Sequence, residues 1–186
     1  MVPSANATAS TSSWCAPRRL QPCGTTTLKQ VNKRGRTLQC SHFKPNVVPS
    51  ADGKLPCVVF CHCNSGSRRD AEEAVKELVP RNITVFCMDF EGSGRSEGNW
   101  VTLGANEVED LTTVIDHLRA DESTSYIGLW GRSMGAVTAL MYSRRDPSIA
   151  GMVRVGCYVE PMWMHAVHDT CMRCTRVNNA GGGKSL

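Results

Sequence analysis

Residues 126–135 read Tyr126-Ile127-Gly128-Leu129-Trp130-Gly131-Arg132-Ser133-Met134-Gly135, and the helix-competent run Ala136 to Tyr142 follows. An apolar strand-like segment, a Gly-x-Ser-x-Gly pentapeptide and a helix therefore succeed one another. A serine hydroxyl is a weak nucleophile near neutral pH. To act as one it must stand clear of its own backbone, next to a base, with N–H groups facing the oxyanion that forms. A tight strand-to-helix turn supplies the first condition and leaves almost no room for side chains where helix meets strand. Gly131 and Gly135 fit that demand, and Ser133 is the candidate nucleophile. The N–H of Met134, at the positive end of the helix, is one candidate oxyanion donor. The plainer reading is an ordinary glycine-bearing strand-to-helix loop.

The chain has 186 residues and 41% apolar content, which suits one domain with a real core. No apolar run reaches transmembrane length. A net charge of +4 hides an asymmetry, because seven basic residues (Arg18, Arg19, Lys29, Lys33, Arg34, Arg36, Lys44) precede the first acidic one, Asp52. They are scattered and lack interleaved aromatics, so no nucleic-acid partner is expected. Several of the ten cysteines fall in predicted buried strands. That pattern fits thiols in a reducing, intracellular and cytoplasmic setting better than a disulfide framework. Residues 1–26 are rich in Ser, Thr and Ala and lack acids. They read as a disordered tail, and an organelle-targeting segment also fits.

Polar and apolar residues alternate over Thr27–Asn32 and Thr37–Phe43, a hairpin of half-buried strands turning at residues 33–36. Cys57–His62 and Asn82–Phe90 are continuous apolar runs, as in strands buried on both faces. Between them, Ala71, Ala74, Val75 and Leu78 form one helical stripe stopped by Pro80. Val108, Leu111, Val114, Ile115 and Leu118 mark a helix from Leu103 to Ala120, and Ile149–Val155 reads as one more strand. Strands alternating with amphipathic helices predict an α/β fold with a mostly parallel sheet and helices on both faces.

Three loops in order carry a resemblance to a known family: His62-Cys63-Asn64-Ser65-Gly66, Asp89 to Gly98, and Gly131 to Gly135. The chain resembles the α/β-hydrolase fold, and most closely its serine-aminopeptidase-type branch, over about Leu28 to Val153. The resemblance implies that the backbone N–H of Asn64 joins that of Met134 in an oxyanion hole. It also implies a structural role for His62. Cys63 stands where the family has glycine, which places a Cβ against a backbone that approaches the substrate. In the family the acid and histidine lie on loops after two further strands. From about Arg154 to Leu186 the sequence reads as a divergent, unstructured tail. The expectation is a partial domain over 27–153, truncated after the nucleophile half and incomplete at its C-terminal edge, with an exposed edge strand and poor solubility.

Several decoys are set aside. His165, His168, Cys171 and Cys174 have zinc-like residue types, but four ligands within ten residues wrap poorly around a metal, so none is expected. Neither His165 nor His168 lies on a predicted framework that would hold it near Ser133. Gly183-Lys184-Ser185 ends too close to Leu186 for a phosphate loop, and Gly92, Gly94 and Gly98 miss the dinucleotide spacing. No cofactor is expected. Two functions remain. One is a serine hydrolase cleaving an ester, thioester or amide of a small molecule or peptide through an acyl-enzyme on Ser133, with activity impaired for want of the acid and histidine. The other is a noncatalytic fragment or interaction module.

Overall fold

The computed structural model describes residues 8–9, 23–46 and 53–156. In chain order the elements are β1 (Thr8–Ala9), β2 (Cys23–Val31), β3 (Thr37–Pro45), β4 (Leu55–Cys61), α1 (Glu72–Leu78), β5 (Thr84–Met88), α2 (Ala105–Ala120), β6 (Thr124–Arg132), α3 (Met134–Arg145) and β7 (Gly151–Val155). The strands form one sheet in the order β1-β2-β3-β5-β4-β6-β7. Pairings from β1 through β5 are antiparallel, and β5, β4, β6 and β7 run parallel. Two boundaries differ from those expected. Residues 23–26, placed in the tail by the sequence reading, belong to β2, and Arg154 and Val155, inside the expected strand but beyond the expected domain end at 153, belong to β7. Strand pairing with β3 extends β2 beyond the point where side-chain alternation is readable.

Because β5 and β6 flank β4 on opposite sides, the chain reverses its direction across the sheet after β5. Right-handed crossovers then place α1 on one face and α2 with α3 on the other. Side chains follow this division with the period of a strand. Phe60, Val85 and Cys87 meet Ala71, Ala74, Val75 and Val79 on the α1 face. Val59, Phe86, Met88, Ile127 and Leu129 meet the α2 and α3 face. The five residues predicted to point inward from α2, Val108, Leu111, Val114, Ile115 and Leu118, are all fully buried. The helix begins at Ala105, two residues later than expected, because Leu103 has φ 55 and Gly104 φ 131. Glu107 folds back to accept from Thr102 N (2.8 Å) and Gly104 N (2.7 Å), which satisfies donors at the helix start.

Cys40, Cys57, Cys61 and Cys87 are buried free thiols. Burial pushes Cys57 and Cys61 up to about 12, so they stay protonated and behave as small apolar residues. Cys23 departs from the expected thiol pattern, being disulfide-bonded. No described helix is long and apolar enough to cross a membrane. Among the described residues β7 is the last strand of the parallel edge, and its Val153 and Val155 are exposed.

His42 on β3 packs edge-on against Phe86 and bonds Thr84 Oγ1 at 3.1 Å. Burial, helped by the nearby Lys44 charge, lowers its ionisation to about 3. The unfolded chain therefore binds a proton below pH about 6.5 that the folded chain refuses. The contribution is fully present above that pH and is lost as pH falls toward 3. Chemical denaturation at several pH values is expected to show that His42→Leu reduces the slope of stability against pH, between 6 and 4, by up to about 1.4 kcal/mol per unit.

Candidate active site

The carboxyl ends of β4, β5 and β6 lie side by side, with Cys61 in register with Gly131. Two loops leave from this edge, 62–68 after β4 and 89–98 after β5, and beside them β6 passes into α3 through Ser133. Ligands of open parallel sheets bind at such a crevice, where the strand order reverses.

The turn from β6 into α3 is closely constrained. Ser133 has φ 50 and ψ −114, a left-handed backbone that a side chain occupies at a cost of roughly 1–3 kcal/mol. A Cβ on Gly131 would come within 2.6 Å of Ala136 N, and one on Gly135 would run into the Cys61 carbonyl and come within 2.7 Å of His62 O. The helix thus starts pressed against its own strand and against the end of β4. Ser133 occupies the N-cap, where a serine ordinarily accepts a bond from the first turn, yet its side chain makes no capping bond. The residue is exposed. The Ser133 N–H donates to Val155 O at 2.9 Å, which ties the turn to β7.

Met134 opens α3, so its N–H has no intrahelical acceptor. Neither it nor the N–H of Asn64 is hydrogen-bonded to a described residue. Cys63 is half-buried and has no positive φ, so its side chain imposes no backbone strain where the family has glycine.

His62 is fully buried, with its ring 4.9 Å from that of Phe90. Its Nδ1 donates to Cys63 O at 2.6 Å and its Nε2 accepts from Phe90 N at 3.1 Å. A carbonyl can only accept and an amide N–H can only donate, so these partners fix the neutral Nδ1–H tautomer. Burial lowers its ionisation further. With both nitrogens engaged, His62 holds the loop in place and is not free to act as a base. His42 bonds Thr84 at the amino end of β5, and His117 packs on Phe86. No described histidine is hydrogen-bonded to Ser133. His165, His168, Cys171 and Cys174 lie outside the described residues, as does the Gly183-Lys184-Ser185 segment.

Asp89 and Arg68 were not legible as site residues in the sequence. Asp89 is almost fully buried, and its carboxylate accepts from Arg68 N (2.7 Å), the Arg68 guanidinium and Arg95 N (2.9 Å). The available signal was a charged residue closing the apolar run Thr84 to Met88, since a charge in that position has to be paired.

Residues 54–178, more than half of the chain, match the family described as serine aminopeptidase, S33. The chain belongs to this family of α/β hydrolases. The match runs past Val153, where the resemblance was expected to end. Human monoglyceride lipase is 29% identical over 129 residues, covering 67% of this chain and 41% of the lipase. The uncharacterized protein YfhR of Escherichia coli (strain K12) is 29% identical over 109 residues, 58% of this chain and 38% of YfhR. Among solved structures, the Pyrococcus furiosus esterase Pf2001 superposes with a TM-score of 0.61 at 22% identity, covering 69% of this chain and 49% of the esterase. The hypothetical protein PA2218 of Pseudomonas aeruginosa gives 0.67 at 17% identity, over 87% of this chain and 51% of PA2218. The structural likeness concerns the fold alone. The chain spans about half, or less, of each of these proteins.

Two substitutions at the turn and one control in β7 are compared by thermal or urea denaturation. Gly135→Ala is expected to cost about 3 kcal/mol or more, since the clash is with backbone, whereas Gly151→Ala, with open space around it, stays within about 0.5 kcal/mol. Ser133→Gly is expected to stabilise by about 1 kcal/mol by relieving the positive φ.

Proposed function

We propose that this chain carries the nucleophile half of a serine hydrolase site that cleaves carboxylic esters through an acyl-enzyme on Ser133. The observation carrying this reading is the Ser133 backbone, held at φ 50 in an exposed residue whose hydroxyl makes no capping bond. A strain of this kind persists only where the surroundings impose it, here the packing at Gly131 and Gly135.

In the proposed reaction Ser133 Oγ attacks the acyl carbon while its proton passes to a base, and the carbonyl oxygen becomes an oxyanion facing the N–H groups of Met134 and Asn64. The tetrahedral adduct collapses with loss of the alcohol, which takes the proton from the base. Water then cleaves the acyl-serine and releases the acid. Similarity to a monoglyceride lipase favours ester substrates, while the family's description as serine aminopeptidase keeps amides as the competing class. Since His42, His62 and His117 are engaged elsewhere, a histidine base would come from outside the described residues.

That requirement supports a second reading, in which the chain by itself is a noncatalytic fragment or an interaction module. A fluorophosphonate probe separates the two, because it reacts only with an activated serine. Labelling of the wild-type chain that disappears in Ser133→Ala is expected. An unlabelled, folded wild-type chain would favour the noncatalytic reading.

A further inference from the structure

Loop 62–68 is tied at both ends to two consecutive residues of the loop after β5. At its start, His62 Nε2 accepts from Phe90 N at 3.1 Å. At its end, Arg68 presents both its backbone N–H and its guanidinium to the Asp89 carboxylate. Asn64 sits between these ties. Little slack remains within the loop: Gly66 N donates to Cys63 O at 2.9 Å, and a Cβ on Gly66 would come 3.1 Å from Cys63 Sγ.

Asp89 is itself held from several directions. Its N–H donates to Gln39 O (2.9 Å) and its carbonyl accepts from Ser96 Oγ (2.5 Å). Arg95 N donates to Oδ2, the oxygen that also takes the Arg68 guanidinium, and Gly94 lies so close that a Cβ there would come within 2.7 Å of Oδ1. A buried ion pair is a poor device for stability alone, because desolvation cancels much of the attraction. Its directional bonds do fix geometry.

We propose that Asp89 is a positioning residue: through Arg68 it sets the course of loop 62–68 and so the direction of the Asn64 N–H toward the oxyanion. The proposal rests on the reading of Ser133 and Asn64 given above. Cys63, a half-buried free thiol in the loop, provides a readout that does not depend on chemistry at Ser133.

The test compares wild type with Asp89→Asn, Arg68→Met and Arg68→Lys in the full chain. Two rates are measured: fluorophosphonate labelling of Ser133, and iodoacetamide alkylation at Cys63, assigned by fragmentation mass spectrometry. Asp89→Asn and Arg68→Met are expected to slow labelling at least tenfold and to speed Cys63 alkylation at least fivefold. Arg68→Lys, which keeps a charged donor toward Asp89, restores most of both rates. If Asp89→Asn fails to melt cooperatively, Arg68→Met carries the same comparison from the more accessible partner. An unchanged Cys63 rate in a folded variant overturns the proposal, as does a faster Cys63 rate with unchanged Ser133 labelling. If wild type is never labelled while Cys63 alkylation accelerates, the nucleophile reading falls and the anchoring of the loop by Asp89 stands.

Discussion

The first turn of α3 lies against the end of β4 with only backbone between them. The Cys61 carbonyl occupies the space where a side chain at position 135 would be, and the Ala136 backbone does the same for position 131. This close approach fixes the angle at which the chain leaves β6, and that angle pushes Ser133 into a left-handed backbone. It also sets the turn at Ser133 beside His62, because β4 and β6 are parallel neighbours with Cys61 and Gly131 in register. The exposed Ser133, the free N–H of Met134 and the proximity of the 62–68 loop all follow from one steric constraint.

Buried charge organises the rest of the crevice. Asp89 links the loops after β4 and β5, while Asp110 links the hairpin to α2 and the loop after β5. The Asp110 carboxylate accepts from Asn32 Nδ2 (2.8 Å), Arg34 Nη2 (2.5 Å) and Glu91 N (2.8 Å), and burial pushes its ionisation above the ordinary carboxylate range. Glu91 in turn accepts from Asn32 and Arg34. A carboxylate stripped of water is tolerable only with such a set of donors. Here the donors come from segments distant in sequence, so each bond also fixes one loop relative to another.

Family membership and these local features point the same way without being the same argument. The family match identifies the ancestry of residues 54–178. The geometry shows how one strained residue, two glycines and a singly tautomeric histidine arrange a crevice at the carboxyl edge of the sheet. Because the chain spans about half or less of its named relatives, its own chemistry is argued from this crevice and from the probes that interrogate it.

The sequence by itself determined the alternation of strands and helices, the two-sided burial of β4 and β5, the inward face of α2 and the glycine pattern around Ser133. Each is written in a local period or in neighbouring residues, so a short window suffices to read it. Windows could not locate the distant partners of Asp89, Asp110 and His62: Arg68, Asn32 and Phe90 lie 21, 78 and 28 residues away along the chain. Nor could they show that β2 begins at Cys23, since that boundary depends on the strand beside it. Only the tertiary structure decided these points. A polar group buried in a core is satisfied by whichever donor the fold brings to it, and sequence spacing carries no record of that encounter.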